Sequence, residues 1–316
     1  MKKISLIILL VCLASYGFAI HEDAGTTGFA FARLLFSPRA SAMGSAYSGV
    51  ADDAEAVFFN PAGLYQLNNS QINAVYMKYL EGINCGSLIF AIPVNERSTF
   101  AFYSRFLSTT ETRTLSDSQG NYLGTDGTFG FSDIEIGGSY AYHVSNSLNL
   151  GGTAKVLYES IDGKSASALA LDLGIYHITE NKNLHIGIAL RNIGLQLSSF
   201  TSSKYKENLP TLADLGFGFR VIPALLLAAD IYKPFKGDYY TRFGAEIAFH
   251  DYLMIRVGYK SDASDWKTGG NNESLAGITG GFGINWDKYE ISYTFLSYGD
   301  LGFVNQIGIN YKFMGE

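Results

Sequence analysis

Apolar and polar residues alternate along most of this chain, from about Ser70 to Phe313. In the last such stretch Ile307, Ile309, Tyr311 and Phe313 fall on one face and Gln306, Gly308, Asn310 and Lys312 on the other. Asp287 to Ser297 places Tyr289, Ile291, Tyr293 and Phe295 against Glu290, Ser292 and Thr294. Tyr252 to Lys260 places Leu253, Ile255, Val257 and Tyr259 against Arg256, Gly258 and Lys260. A period of two is the signature of a strand with two unlike faces.

The alternation predicts about 14 strands, at 70–79, 83–93, 97–107, 130–143, 147–158, 166–177, 183–195, 211–221, 224–233, 239–249, 252–260, 276–286, 287–297 and 304–314. Most exceed the five or six residues usual in soluble sheets and match the 9–11 residues that cross a bilayer when tilted. Long connections, at 108–129, 196–210 and 261–275, follow strands 3, 7 and 11, whereas every connection after an even strand is short. With the N-terminus in the periplasm, long loops lie outside and short turns inside, the outer-membrane pattern. The expected fold is therefore all-β: a transmembrane antiparallel up-and-down barrel.

Composition sharpens this picture. Charged residues are 16% of the 316, hydrophobic residues 47%, and glycines number 35. After the first 20 residues no apolar run approaches the roughly 20 residues of a membrane-spanning helix. A chain this apolar is not disordered, and a net charge of −6 argues against nucleic acid as a partner. In hydrocarbon every backbone polar group must pair within the protein, which leaves a closed barrel. Arg105, Lys155, Asp172, Arg191, Arg220, Asp230, Glu246, Arg256, Glu290 and Lys312 all take the polar, lumen-facing side of their strands. Tyr158, Tyr232, Tyr239, Tyr252, Trp286, Tyr289 and Tyr298 fall near predicted strand ends, where aromatic girdles sit.

Residues 1–19 read as a secretory signal peptide: Lys2 and Lys3, an apolar run, then small residues up to Ala19. Its removal takes the net charge to −8 and leaves Cys85 as the lone cysteine, without an internal disulfide partner. Residues 20–69 do not alternate. This compact, small-residue segment precedes the barrel of 70–316 and is the natural candidate for a plug, since a 14-stranded lumen is too wide to be filled by wall side chains alone. Within it Asn60-Pro61-Ala62-Gly63 is a turn former.

Several motifs carry a family resemblance. Arg39-Ala40, Met43-Gly44, Ala51-Asp52-Asp53-Ala54 and Phe59-Asn60-Pro61-Ala62-Gly63-Leu64 resemble the N-terminal signature of the FadL-like outer-membrane superfamily, and most closely its PorV/PorQ branch. Distal stretches, among them Arg242 to Glu246 and Ile255 to Lys260, resemble that branch too, and Gln306-x-Gly308-x-x-Tyr311-x-Phe313 is similar to a barrel-assembly insertion signal. Ala42, Ser45 and Phe59 depart from the pattern. The resemblance implies a 14-stranded barrel, often with an N-terminal plug and a lateral opening. It implies one of two roles: PorV-type service in type IX secretion, with cargo proteins and secretion subunits as partners, or FadL-type passage of long-chain fatty acids and other hydrophobic ligands.

Chemistry is sparse. None of the five histidines has metal-ligand spacing, no nucleophile elbow or phosphate loop occurs, and no cofactor is expected. Gly216-Phe217-Gly218 and Gly281-Phe282-Gly283 lack the helix a dinucleotide site needs. Asp52 and Asp53 suit a bound cation, a solvated pair or a helix N-terminus equally well. A secretion accessory ranks first on the motif set, a hydrophobic-molecule transporter second, and a structural barrel in outer-membrane lipid third; none is an enzyme.

Overall fold

A computed structural model describes residues 23, 25–180, 182–201, 205–266 and 268–313. The proposed signal peptide lies outside these residues. Fourteen antiparallel strands form one closed barrel in sequence order: β1 (Gln71–Lys78), β2 (Asn84–Asn95), β3 (Ser98–Ser116), β4 (Tyr122–Ser145), β5 (Leu148–Ile161), β6 (Lys164–Ile178), β7 (Leu184–Ser198), β8 (Leu212–Ile222), β9 (Leu225–Pro234), β10 (Tyr240–His250), β11 (Leu253–Lys260), β12 (Ile278–Trp286), β13 (Tyr289–Ser297) and β14 (Phe303–Lys312). β14 closes on β1 from Gln71↔Lys312 to Lys78↔Asn305.

The two faces separate as the alternation requires. On β11 Ile255, Val257 and Tyr259 are 39, 56 and 44% exposed, whereas Arg256 between them is 2% exposed. An outward row this apolar is stable only against lipid tails; Arg or Lys there would cost about 2–4 kcal/mol at the midplane. No helix among the described residues is long and apolar enough to cross a membrane.

Three expectations change. Residues 108–129, expected as a loop, continue β3 and β4 as a ribbon beyond the barrel, paired from Thr109↔Phe131 to Ser116↔Tyr122. Neither face of this Thr-rich ribbon is buried, so it shows no apolar alternation, yet β-branched side chains favour the pleat. Tyr232 and Tyr298 are not girdle residues: both are buried, because Tyr232 shares the inward parity of Asp230 and Tyr298 folds back over the lumen. The lateral opening implied by the resemblance meets a ladder hydrogen-bonded between every neighbouring pair. Its main departures are a bulge in β7 at Asn192 (φ +58°) and the continuation of β7 past Arg191, the last residue paired to β8.

The segment preceding β1 lies inside the barrel. It comprises a 3-10 turn (Ala30–Arg33), the short helix α1 (Pro38–Ala42) and two further 3-10 turns (Ala54–Phe58, Pro61–Gln66). Ser37, Asp53 and Asn60 cap the last three elements by accepting from the amides of Ala40, Glu55 and Ala62. Phe36, Ala40, Met43, Tyr47, Phe59 and Leu64 are fully buried.

The wall makes room for this segment with glycine. A Cβ added to Gly216 would stand 2.5 Å from the Gly49 amide nitrogen, and one on Gly244 would stand 2.5 Å from the Met43 carbonyl oxygen. Gly151, Gly187 and Gly258 would collide in the same way with the backbone of Ala62, Ser48 and Gly44. Much of the glycine excess on the inward faces thus marks a track of backbone-to-backbone contact.

Candidate functional site

Arg39 stands where the inner segment meets the wall. As the second residue of α1, behind Pro38 and the Ser37 cap, it points toward β10. Its Nε and Nη2 donate to the two carboxylate oxygens of Glu246 at 2.8 and 2.9 Å, while Nη1 donates to Asp52 at 2.5 Å and to the Tyr47 hydroxyl at 3.0 Å. Tyr47 donates in turn to Asp53 at 2.6 Å. Asp52 and Asp53 therefore serve Arg39. The chain of charges continues across the wall: Arg256 donates to Glu246 at 2.7 Å and to Glu290 at 3.1 Å, and Lys312 reaches Glu290 at 3.3 Å.

A second ladder crosses β3 to β6. Arg105 pairs with Glu135 at 2.5 Å and donates to the carbonyls of Leu34 and Ala32 at 2.7 and 3.0 Å, with Phe31, Phe36 and Phe58 packed around its guanidinium. Lys155 pairs with Asp172 at 2.7 Å. Arg191 bridges the Phe58 carbonyl and Asp214, 2.5 Å each. Asp230 accepts from the amides of Tyr47 and Ser48, 2.9 Å each. Asn60 donates to the carbonyls of Ser48 and Ile175 at 3.2 and 2.9 Å, so the Asn60–Gly63 turn ties the inner segment to itself and to β6.

Arg220 differs from the other charges. It keeps the inward parity, opposite Leu226, but stands at the short-turn end of β8, where it is exposed and donates to the Pro223 carbonyl at 3.3 Å. Glu135, Asp214, Arg242, Lys260 and Glu55 complete the networks; of these, Lys260 fell on the polar face of its strand in the sequence and Arg242 in a motif stretch, while the other three went unremarked. The four wall residues among them carry the inward parity that could have flagged them.

Glu55 lies between Ser37, which donates to it, and Asn73 of β1, which donates at 3.1 Å. Burial, reinforced by the Asp53 charge, pushes its carboxyl up to about 8. The folded protein therefore holds a proton that the unfolded chain releases in the ordinary carboxylate range. Stability conferred by that proton is full at low pH, falls as pH rises toward about 8 and is flat beyond. Glu55→Gln should remove this slope, read as the unfolding temperature of the barrel in detergent between pH 5 and 9. A slope unchanged in the variant would assign it to another group.

Above the inner segment, toward the long loops, a cavity of about 490 Å³ opens outward. Phe31, Leu34, Leu35, Met77, Leu107 and Leu296 give it an apolar lining; Tyr232, Arg242, Lys260, Asp262, Trp266 and Tyr298 give it a polar, aromatic one. The Arg242 guanidinium lies 4.0 Å from the Tyr232 ring centre and 3.7 Å from Asp262, and its Nε and Nη1 find no acceptor although the residue is buried. Trp266 stacks on Tyr298 at 4.2 Å. Among the described residues no three His, Cys or carboxylate side chains converge closely enough to hold a metal ion.

Neither a family model nor a curated protein matches the chain. Solved structures do. The Ralstonia pickettii toluene transporter TbuX aligns with a TM-score of 0.59 at 15% identity, covering 88% of this chain and 98% of that one. The P. putida toluene transporter TodX gives 0.62 at 12% identity, covering 89% and 99%. A Pseudomonas aeruginosa FadL homologue gives 0.57 at 12% identity, covering 94% and 99%. At these identities the likeness speaks to fold: a closed 14-stranded antiparallel barrel of the kind found in FadL-like outer-membrane proteins.

Proposed function

We propose that this protein is an outer-membrane channel for hydrophobic small molecules, with the inner segment as its plug and the upper cavity as its vestibule. The observation that carries the reading is the two-sided lining of that vestibule. A cluster of aliphatic and aromatic side chains suits an apolar body, and the unpartnered Arg242 donors suit a single polar end. The toluene transporters TbuX and TodX support it by likeness of fold.

The secretion role rests on the motif resemblance. Within the inner segment, Arg39, Asp52, Asp53, Asn60 and Met43-Gly44 are engaged in holding the segment to itself and to the wall, work that either role requires. These residues therefore do not favour cargo over a small ligand.

Co-purification from native outer membrane separates the two. The channel reading expects a hydrophobic small molecule retained by the wild type, with retention reduced about tenfold in Arg242→Met, the loss of a buried charge-assisted hydrogen bond. Secreted proteins or secretion-machinery subunits retained in place of any small molecule would overturn it.

A further inference from the structure

The vestibule holds more free polar atoms than the Arg242 donors. Ser41 and Ser45 of the inner segment line its floor, each 1% exposed and each with a hydroxyl that has no partner among the described residues. Gln306 lines it from β14. Its amide nitrogen is committed to the Leu35 carbonyl at 3.2 Å, which fixes the orientation of the amide and leaves Oε1 free. Asp262, in the 3-10 turn that follows β11 (Ser261–Trp266), has a free Oδ1 as well.

Register gathers several of these groups at one side of the lumen. Gly244 of β10 and Gly258 of β11 meet the Met43–Gly44 backbone. Arg242 and Lys260, paired across the same two strands, stand one inward step nearer the long loops, about 7 Å. Ser45, next to Gly44, lies beneath them. Asp262 lies 3.7 Å from Arg242 and 3.8 Å from Lys260, close enough to balance their charge but too far to hydrogen-bond with either. Asp265, which accepts from Tyr240 at 2.6 Å, brings a second carboxylate to the same side. The apolar lining comes from the opposite wall, with Met77 on β1, Leu107 on β3 and Phe131 on β4. β3 and β10 are seven strands apart around the fourteen, so the polar and apolar poles face each other across the lumen.

The free atoms at the polar pole make opposite demands. Arg242 Nε and Nη1 need an acceptor, Asp262 Oδ1 and Gln306 Oε1 need a donor, and the serine hydroxyls serve as either. A carboxylate would satisfy Arg242 but meets Asp262 with like charge and offers Gln306 no hydrogen. A pure hydrocarbon leaves all of them unpaired. A hydroxyl both accepts and donates.

We infer that the vestibule selects a neutral amphiphile with a hydroxyl-bearing head, held between Arg242, Asp262 and the Ser41–Ser45 floor, and with its apolar tail against β1, β3 and β4. This rests on the channel reading above and names the class of molecule that the vestibule takes.

The test is equilibrium dialysis of the mature protein in lipid nanodiscs, with empty nanodiscs as the blank. Three labelled probes share one acyl chain: monodecanoylglycerol, which is neutral and carries hydroxyls; methyl decanoate, which is neutral and has none; and decanoate in its ionised form. The wild type should bind monodecanoylglycerol about tenfold more tightly than either of the others, the worth of a hydrogen bond to a charged group. Ser41→Ala with Ser45→Ala should weaken monodecanoylglycerol at least threefold and leave methyl decanoate unchanged. Asp262→Asn removes the negative charge but keeps an acceptor, and should strengthen decanoate at least fivefold, a gain that disturbed packing does not produce. Heat-modifiable migration on gels confirms that each variant is folded. Equal binding of monodecanoylglycerol and methyl decanoate, a wild type that prefers decanoate, a serine pair without effect, or decanoate binding unmoved by Asp262→Asn would overturn the assignment of the head and leave the channel reading standing. Binding of none of the three probes would overturn the channel reading, and this assignment with it.

Discussion

Replacing Arg39 with methionine is expected to release the plug from the wall while leaving the barrel closed. The guanidinium makes five close contacts, to Glu246 twice and to Tyr47, Asp52 and Asp53. Methionine retains much of the aliphatic stem but strands these carboxylates in a buried setting. Breaking a buried pair by removing one partner costs about 3–5 kcal/mol, which exceeds what most single contacts of the plug contribute. The expected result is protease cleavage between Ser37 and Asn60 in a barrel that still shows heat-modifiable migration. Arg39→Lys, which keeps the charge but loses the two-pronged contact with Glu246, should fall between. A plug as resistant in Arg39→Met as in the wild type would show that backbone packing alone holds it.

The second large effect belongs to the glycine track. Gly258→Leu introduces a side chain where even a Cβ would meet the Met43–Gly44 backbone. The plug cannot shift locally, because Gly44 is also bonded to Thr279 and faces the β10 and β11 backbone. Overpacking a dense interior usually costs about 1–3 kcal/mol; here the obstacle is backbone on both sides, so displacement of residues 38–50 is expected. Gly138→Leu is the matched control, since an added Cβ there meets only the edge of the Phe102 ring, 3.6 Å away. Cysteine labelling at position 47 reports both: rapid in Gly258→Leu, slow in Gly138→Leu. Equal rates would remove the glycines from any role in seating the plug.

What the sequence disclosed, and what it withheld, follows from how each feature is encoded. The membrane-facing rows were legible because lipid and lumen make opposite demands on successive residues, as at Ile255, Arg256 and Val257. The inward charges could be placed by parity for the same reason. Their partners could not: Arg105 with Glu135 and Lys155 with Asp172 depend on how one strand registers against the next, which no single strand records. Arg220 has the inward parity read from the sequence, but at the end of β8 parity no longer implies burial. The β3–β4 ribbon was hidden because both of its faces are wet, and Tyr232 and Tyr298 because a tyrosine near a strand end reads the same at a girdle as above a lumen. The glycine excess was visible, but its purpose required the path of the inner segment. The motif residues around Asn60 and Arg39 pointed to an inner segment, and such a segment alone does not name a cargo.

The central claim is that alternate residues of each strand face acyl chains and the enclosed interior. Single tryptophans placed along β11 at 255, 256 and 257, in a background with Trp266 and Trp286 replaced by phenylalanine and reconstituted with lipids brominated at mid-chain, measure this directly. Strong quenching at 255 and 257 with little at 256 is the predicted pattern. Quenching that is uniform along the strand, or strongest at 256, would contradict the account.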